Sequence, residues 1–104
     1  KLLKELVENP STKNQVLNTL IAYNAGITRV KKWNKTINEN DPLAFIESIP
    51  IKETRMFVKA ILTDFWIYRD KLGQNKPTRT MLANNKWPVF SYQDFKIVRD
   101  AKLR

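Results

Sequence analysis

The longest helical pattern in the chain lies between Lys52 and Gly73, and it sets the fold class. Apolar residues recur there at α-helical spacing and cover most of the helix circumference. Gly73 follows the last apolar position, where glycine commonly ends a helix. Such a helix needs cover on several sides, so we expect it at the centre of an all-α fold. One wide face comprises Met56, Phe57, Ala60, Ile61, Phe65, Tyr68 and Leu72, and Val58, Leu62 and Trp66 extend it.

Shorter helical patterns lie on either side of this segment, and no strand pattern interrupts them. Ser11 or Thr12 is predicted to cap the helix that ends near Tyr23, Thr28 the short basic helix after it, and Asp41 the next. The predicted shorter helices cover approximately residues 1–7, 12–23, 28–33, 42–49 and 91–101. The stretch 74–80 reads as a polar connector and 87–90 as an extended apolar lid.

The composition excludes several kinds of active site. The chain has 104 residues, enough for one domain, with no cysteine and no histidine. Disulfides, thiolate nucleophiles, imidazole bases and the usual zinc ligands are therefore excluded, and acid–base chemistry is left to Asp, Glu, Tyr or Lys. The formal net charge of +9 favours polyanionic partners. Charge alone leaves nucleic acid, acidic lipid headgroups and the anionic cell-wall polymer of bacteria open as partners. It also leaves open a solvated basic surface that binds none of them.

The segment Ala22-Tyr23-Asn24-Ala25-Gly26 places an aromatic ring and an amide at the end of a helix. Gly26 suits the positive φ that closes a helix C-terminus. Tyrosine offers a flat apolar face with a hydroxyl, and asparagine offers both donors and acceptors. This pairing suits a hydroxyl-rich ring such as a sugar. The alternative is a simple helix end, with Tyr23 packed inward and Asn24 as a cap.

Two further groups of residues each allow a functional and a structural interpretation. Glu47 lies in an apolar context, where a half-buried carboxyl could hold a proton or bind sugar hydroxyls, or it is an exposed residue on a short helix. Arg29, Lys31 and Lys32 lie beside Trp33. Such a cluster could bind nucleic acid, or it is a solvated helix face with one buried tryptophan.

Several elements together, in this order and at this spacing, resemble the soluble lytic murein transglycosylases. They are Ala22-Tyr23-Asn24-Ala25-Gly26, Arg29-Val30 with Trp33, Phe45-Ile46-Glu47-Ser48-Ile49-Pro50, Glu53-Thr54-Arg55 with Val58-Lys59, and Tyr68-Arg69. The resemblance covers residues 1–73 and implies the C-terminal portion of a lysozyme-like helical domain. Residues 74–104 are predicted to form a C-terminal helical tail packed on the same domain.

The resemblance implies cleavage of the β-1,4 bond between N-acetylmuramic acid and N-acetylglucosamine in peptidoglycan. In the family one glutamate acts first as general acid to the glycosidic oxygen. It then acts as base to the muramoyl 6-hydroxyl, whose intramolecular attack leaves a 1,6-anhydro product. No metal or cofactor is required. The resemblance also implies a periplasmic or cell-envelope location, with glycan strands as the partner and no nucleic acid. No run in the sequence approaches the ~20 apolar residues of a membrane span, so none is expected.

The resemblance assigns substrate-binding roles to Tyr23, Asn24 and Glu47, with Gly26 shaping the turn beside them. Phe57 occupies a position where many relatives carry tyrosine. The family's catalytic glutamate lies in a Glu-Ser motif well before AYNAG, followed by a Gly-Leu-Met-Gln motif, and neither precedes that element here. The pair at positions 47–48 matches the later ESIP element. We therefore expect no catalytic residue in this chain and no turnover by it alone.

Two other functions stay open at this point. The chain could be a fragment that binds peptidoglycan without cleaving it, or a small basic helical domain that binds nucleic acid. If the long helix is central, either a missing upstream segment or self-association is expected to cover its remaining apolar surface.

Overall fold

The computed structural model describes residues 9–10, 12 and 15–89. Its helices are α1 (Val16–Ala25), α2 (Ile27–Thr36), α3 (Pro42–Glu47), α4 (Lys52–Lys71) and α5 (Pro77–Ala83). Within these ranges the only strand-like pairing is an isolated antiparallel bridge between Gln15 and Val89, so the all-α prediction is confirmed. None of the described helices is long and apolar enough to cross a membrane. The predicted helices over residues 1–7 and 91–101 lie outside the described residues.

A single apolar core joins the helices. α1 packs against both α2 and α4, and α3 packs on α4. Full burial of each large aliphatic side chain in this core stabilises the fold by about 1.5–3 kcal/mol. The buried apolar residues are Val16, Leu17, Leu20, Ile21, Ala22, Val30, Trp33, Phe45, Ile46, Ile49, Val58, Ile61, Leu62 and Leu82.

Gly26 alone separates α1 from α2. Its φ of 96° confirms the predicted positive φ, while its ψ of 158° makes the backbone extended, a combination reserved almost entirely for glycine. Its N–H donates to the Ala22 carbonyl at 2.9 Å, which closes α1. α2 then begins at Ile27 with Gly26 as its N-cap, so the predicted Thr28 cap is wrong.

The predicted threonine cap of α1 is also wrong. Gln15 is the N-cap and makes no side-chain capping hydrogen bond. Thr12 is buried in the preceding turn, where its hydroxyl donates to the Asn9 carbonyl at 3.0 Å and its own carbonyl accepts from the Gln15 N–H at 2.9 Å. Ser11, the other predicted cap, lies outside the described residues.

α4 confirms the predicted long helix but buries only part of the apolar face predicted for it. The buried side chains are Thr54, Val58, Ile61, Leu62 and Arg69, whereas Met56, Tyr68 and Leu72 are exposed. Apolar residues nearly encircle this helix, so spacing alone does not select the buried arc. The polar residues on that arc are buried because neighbouring segments satisfy their hydrogen bonds, as in the 2.6 Å bond from Arg69 Nε to the Asn75 carbonyl.

Between α4 and Val89 the structure contains a helix that the sequence does not predict. α5 begins at Pro77, in the predicted polar connector, because proline is well suited to the first helical position. The Trp66 indole donates to Thr78 Oγ1 at 2.8 Å, which fixes α5 against α4. Beyond α5, Trp87 packs edge-on against Phe45 with ring centroids 4.9 Å apart. Its indole N–H donates to the Asn40 carbonyl at 2.8 Å, so the chain at this point covers α3.

Asp41 is the predicted cap of α3, and its carboxylate accepts from the Leu43 N–H at 3.2 Å. Asp41→Ala is expected to lower the free energy of unfolding by about 1 kcal/mol, because one amide at the start of α3 loses its acceptor. Asp41→Asn retains a capping oxygen and is the matched control. Urea denaturation checks both variants, and equal losses would show that charge, not the cap, stabilises this end.

Candidate functional site

Tyr23 lies in the last turn of α1 with its side chain at the surface, 38% exposed. Its ring stacks on that of Phe57 from α4, with centroids 6.0 Å apart and planes 8° from parallel. Phe57 is partly buried against the core, so it is the support of the stack. The second face of the Tyr23 ring points away from Phe57. A flat aromatic surface with a hydroxyl at its edge is therefore held on a rigid base.

Asn24 does not cap α1. Its Oδ1 accepts a 2.8 Å hydrogen bond from the hydroxyl of Thr54, a residue thirty positions later whose side chain is buried in α4. Thr54 and Phe57 are three residues apart, so they lie on the same side of α4. The Asn24–Thr54 bond thus sets the register in which Tyr23 meets Phe57. In the described part of the chain, no acceptor takes a hydrogen bond from the Asn24 amide nitrogen.

Glu47 is the last residue of α3, and its side chain is 61% exposed, in agreement with the structural interpretation. Its carboxylate forms an ion pair with Lys59 of α4. The two residues lie at the rim of a cleft of about 320 Å³ between α3, α4 and α5. The other residues lining this cleft are Leu43, Ile46, Leu62, Thr63, Trp66 and Leu82. The cleft is apolar with one paired charge at its edge.

Arg55 holds the turn that positions Glu47. Its guanidinium donates to the carbonyl of Ile49, between α3 and α4. Ile49 is fully buried, so this bond satisfies a carbonyl that no water can reach.

The predicted site residues fall on two flanks of α4. Tyr23 contacts Phe57, and Glu47 contacts Lys59. Phe57 and Lys59 are two residues apart, which is roughly 200° around a helix axis. No described contact joins the Tyr23–Asn24 pair to Glu47. The residues that organise each flank, Thr54, Phe57 and Lys59, are visible in the sequence only as members of the ETR element and of the turn of helix after it.

In the basic cluster on α2, Trp33 is buried, as the structural interpretation of this cluster predicts. Trp33 is only 4% exposed and belongs to the core, whereas Arg29, Lys31 and Lys32 are exposed. The indole ring is therefore not available for stacking on a base.

Across residues 9–10, 12 and 15–89, no group of three or more carboxylates is placed to hold a metal ion. Lys76 donates to Asp70 at 2.9 Å, and this bond together with the lysine charge lowers the pKa of that carboxyl. The pair connects the end of α4 to the start of α5 and lies away from both flanks. A lowered pKa stabilises the fold above the unfolded-state value, and this small contribution is lost as the pH falls through the folded-state value.

The structure places Tyr23 and Asn24 at the end of α1, Glu47 at the end of α3 and the ETR element on α4. These are the elements on which the resemblance to the soluble lytic murein transglycosylases rests. Comparison with curated proteins confirms this resemblance. The chain is 39% identical over 67 residues to the soluble lytic murein transglycosylase of Salmonella typhimurium. It is 42% identical over 67 residues to those of Escherichia coli strain K12 and Escherichia coli O157:H7.

Each match covers 64% of this chain and 10% of the relative. The chain therefore spans about a tenth of the length of the curated relatives it matches, and it is similar to one segment of a soluble lytic murein transglycosylase. No family model and no solved structure matches the chain.

The Asn24–Thr54 bond gives a direct test of how the Tyr23 surface is built. Thr54→Val keeps the side-chain shape but leaves Asn24 Oδ1 without its donor, so we expect a loss of about 1–3 kcal/mol in the free energy of unfolding. Thr63→Val, at an exposed position of the same helix, is the control and should change stability by less than about 0.5 kcal/mol. Urea denaturation measures both variants. An unchanged free energy of unfolding in Thr54→Val would show that this bond does not stabilise the site.

Proposed function

We propose that the chain is part of a peptidoglycan lytic transglycosylase of the cell envelope and forms one wall of its glycan groove. The identity of 39–42% to soluble lytic murein transglycosylases over 64% of the chain carries this proposal. The reaction would be cleavage between N-acetylmuramic acid and N-acetylglucosamine with formation of the 1,6-anhydro product.

The wall is proposed to cross the exposed side of α4. A ligand that touches both Tyr23 and the Glu47–Lys59 pair has to cross the helix arc between Phe57 and Lys59. Met56 lies on this arc and is 56% exposed. A helix with its side chains is about 10–12 Å across, so a short run of sugar units spans the distance. The apolar side chains of Met56 and Tyr23 would contact sugar ring faces, and polar groups at both ends would contact hydroxyls.

The polar groups at the two ends have different proposed roles. The Asn24 amide donates to an acceptor on the sugar, such as an N-acetyl carbonyl or a hydroxyl oxygen. The Glu47 carboxylate, exposed and paired with Lys59, accepts hydrogen bonds from hydroxyl groups. Gly26 ends α1 two residues after Asn24 and lets α2 begin at Ile27.

The catalytic acid is proposed to come from outside this chain. General acid catalysis at a glycosidic oxygen needs a carboxyl group kept protonated by a desolvated site. Glu47 is exposed and ion-paired, which does not fit that role. Intramolecular attack by the 6-hydroxyl replaces the second carboxylate and the water of most glycosidases, so one glutamate on the facing wall is sufficient.

Tyr23 tests the groove. Tyr23→Ala is expected to weaken co-sedimentation of the chain with insoluble peptidoglycan roughly tenfold at moderate salt, because the stacked ring surface is lost. Tyr23→Phe keeps the stack on Phe57 and should lose less. Tyr68→Ala removes a different exposed tyrosine, which lies on α4, and is the control. Equal affinities of Tyr23→Ala and Tyr68→Ala would contradict the proposed groove.

Turnover is tested separately. Purified peptidoglycan incubated with this chain alone is expected to release no 1,6-anhydro-muropeptides by mass spectrometry, with a full-length soluble lytic murein transglycosylase as the positive control. Anhydro products that disappear in Glu47→Gln would place the acid in this chain and overturn the proposal.

A further inference from the structure

The outer face of α2 is strongly cationic. The helix sequence contains no carboxylate, and its cations are Arg29, Lys31, Lys32 and Lys35. All of them are exposed. The ion pairs between Lys59 and Glu47 and between Lys76 and Asp70 lie elsewhere. Among the residues that the structure describes, no carboxylate neutralises this face.

The buried side of α2 fixes the orientation of the helix. Val30 and Trp33 are buried in the core. The Asn34 amide donates to Asn18 Oδ1 of α1 at 3.1 Å and to the Val30 carbonyl at 2.7 Å. α2 therefore cannot rotate to bring its cations to a carboxylate on the protein, and the charges stay on the outer face.

The cations are arranged as a row. Arg29, Lys32 and Lys35 follow one another at three-residue spacing, and a rise of 1.5 Å per residue places them along about 9 Å of the helix axis. Like charges at this spacing destabilise an isolated helix, and Arg29 lies in the first turn, where the helix dipole disfavours a cation. Lys35 lies in the last turn, where the dipole favours a cation, but helix stability does not explain Arg29 and Lys32. Binding of a polyanion accounts for the whole row.

The side chains on this face indicate which class of polyanion it can bind. Binding of single-stranded nucleic acid commonly uses exposed aromatic rings, and readout of base edges uses free amides. Trp33 is buried and the Asn34 amide is already bonded within the protein, so neither is available. Besides its cations the face carries the exposed Thr28 hydroxyl, and its contacts to a ligand are mainly those of charges. Lysine ammonium groups and an arginine guanidinium are suited to carboxylates presented at intervals along a polymer.

We propose that the outer face of α2 binds the peptide-borne carboxylates of peptidoglycan, as a docking surface separate from the glycan groove on α4. This inference rests on the proposed function, since it takes the same polymer as the partner. The row on α2 retains the polymer by its charges, while the surface on α4 recognises sugar rings. The two contributions therefore differ in their salt dependence.

The first experiment compares two triple variants that remove equal charge. Arg29→Gln/Lys32→Gln/Lys35→Gln removes the row and keeps good helix formers. Lys52→Gln/Lys71→Gln/Lys86→Gln removes three exposed lysines elsewhere. At low salt the α2 variant is expected to bind insoluble peptidoglycan roughly tenfold more weakly than the parent chain, and the control within about twofold. Circular dichroism verifies that both variants are helical.

The second experiment identifies the ligand chemistry. Peptidoglycan whose carboxyl groups have been amidated should bind the parent chain and the α2 variant equally, because the carboxylates are gone. Equal losses in both triple variants, or a persisting α2 effect on amidated polymer, would overturn the proposal. So would tighter binding of duplex DNA than of peptidoglycan with the same dependence on the row.

The outcome is separable from that of the groove. Tyr23→Ala should weaken the binding that survives moderate salt and leave the difference between the triple variants at low salt unchanged. If Tyr23→Ala has no effect while the α2 variant loses affinity, the groove fails and the cationic docking surface stands. If the reverse is found, the docking surface fails and the groove stands.

Discussion

The packing of α1 on α4 is the contact on which the rest of the structure depends, and the Thr54–Asn24 hydrogen bond fixes its register. Apolar burial brings the two helices together but tolerates small sliding, because one aliphatic side chain can replace another. A hydrogen bond between two polar side chains at a core boundary tolerates much less, since an unmatched partner is costly there. Thr54 lies one helical turn before Phe57, so this bond places the Tyr23 ring against the ring of Phe57.

Two features whose chemistry is local are predicted correctly, although the caps predicted at Thr12 and Thr28 are wrong. Asp41 followed by proline marks the start of α3, and Gly26 marks the end of α1, because the cap and the positive φ depend on neighbouring residues only. The AYNAG, ESIP and ETR elements likewise point to the family. The partners of the site residues are not local. Nothing near Asn24 indicates that it bonds to Thr54, and nothing near Glu47 indicates Lys59.

The buried face of α4 is a second feature that depends on distant residues and could not be predicted from the sequence. Hydrophobicity assigns Met56 to the core and Arg69 to the surface, and the structure does the reverse. Arg69 is buried because the Asn75 carbonyl accepts from it and the Phe65 ring lies beneath its guanidinium, 5.9 Å from the ring centroid. Such compensation comes from a loop that follows the helix, so it cannot be read from the helix itself. The exposed arc with Met56 is the part of α4 that remains available to a ligand.

The packing of the helices also determines where the charged side chains lie. α3 carries Glu47 and α4 ends near Asp70, so the lysines that face these carboxylates are paired. α2 has no acidic residue and is held by Trp33 and Asn34 with its cations outward. The net charge of +9 is therefore not spread evenly, and part of it is concentrated on one helix. A polymer with both sugar rings and carboxylates can use both surfaces, because ring contacts need a fixed aromatic plane and charge contacts need only a solvated row. The rigid Tyr23 stack and the cationic face of α2 meet these two requirements on separate helices joined by a single glycine.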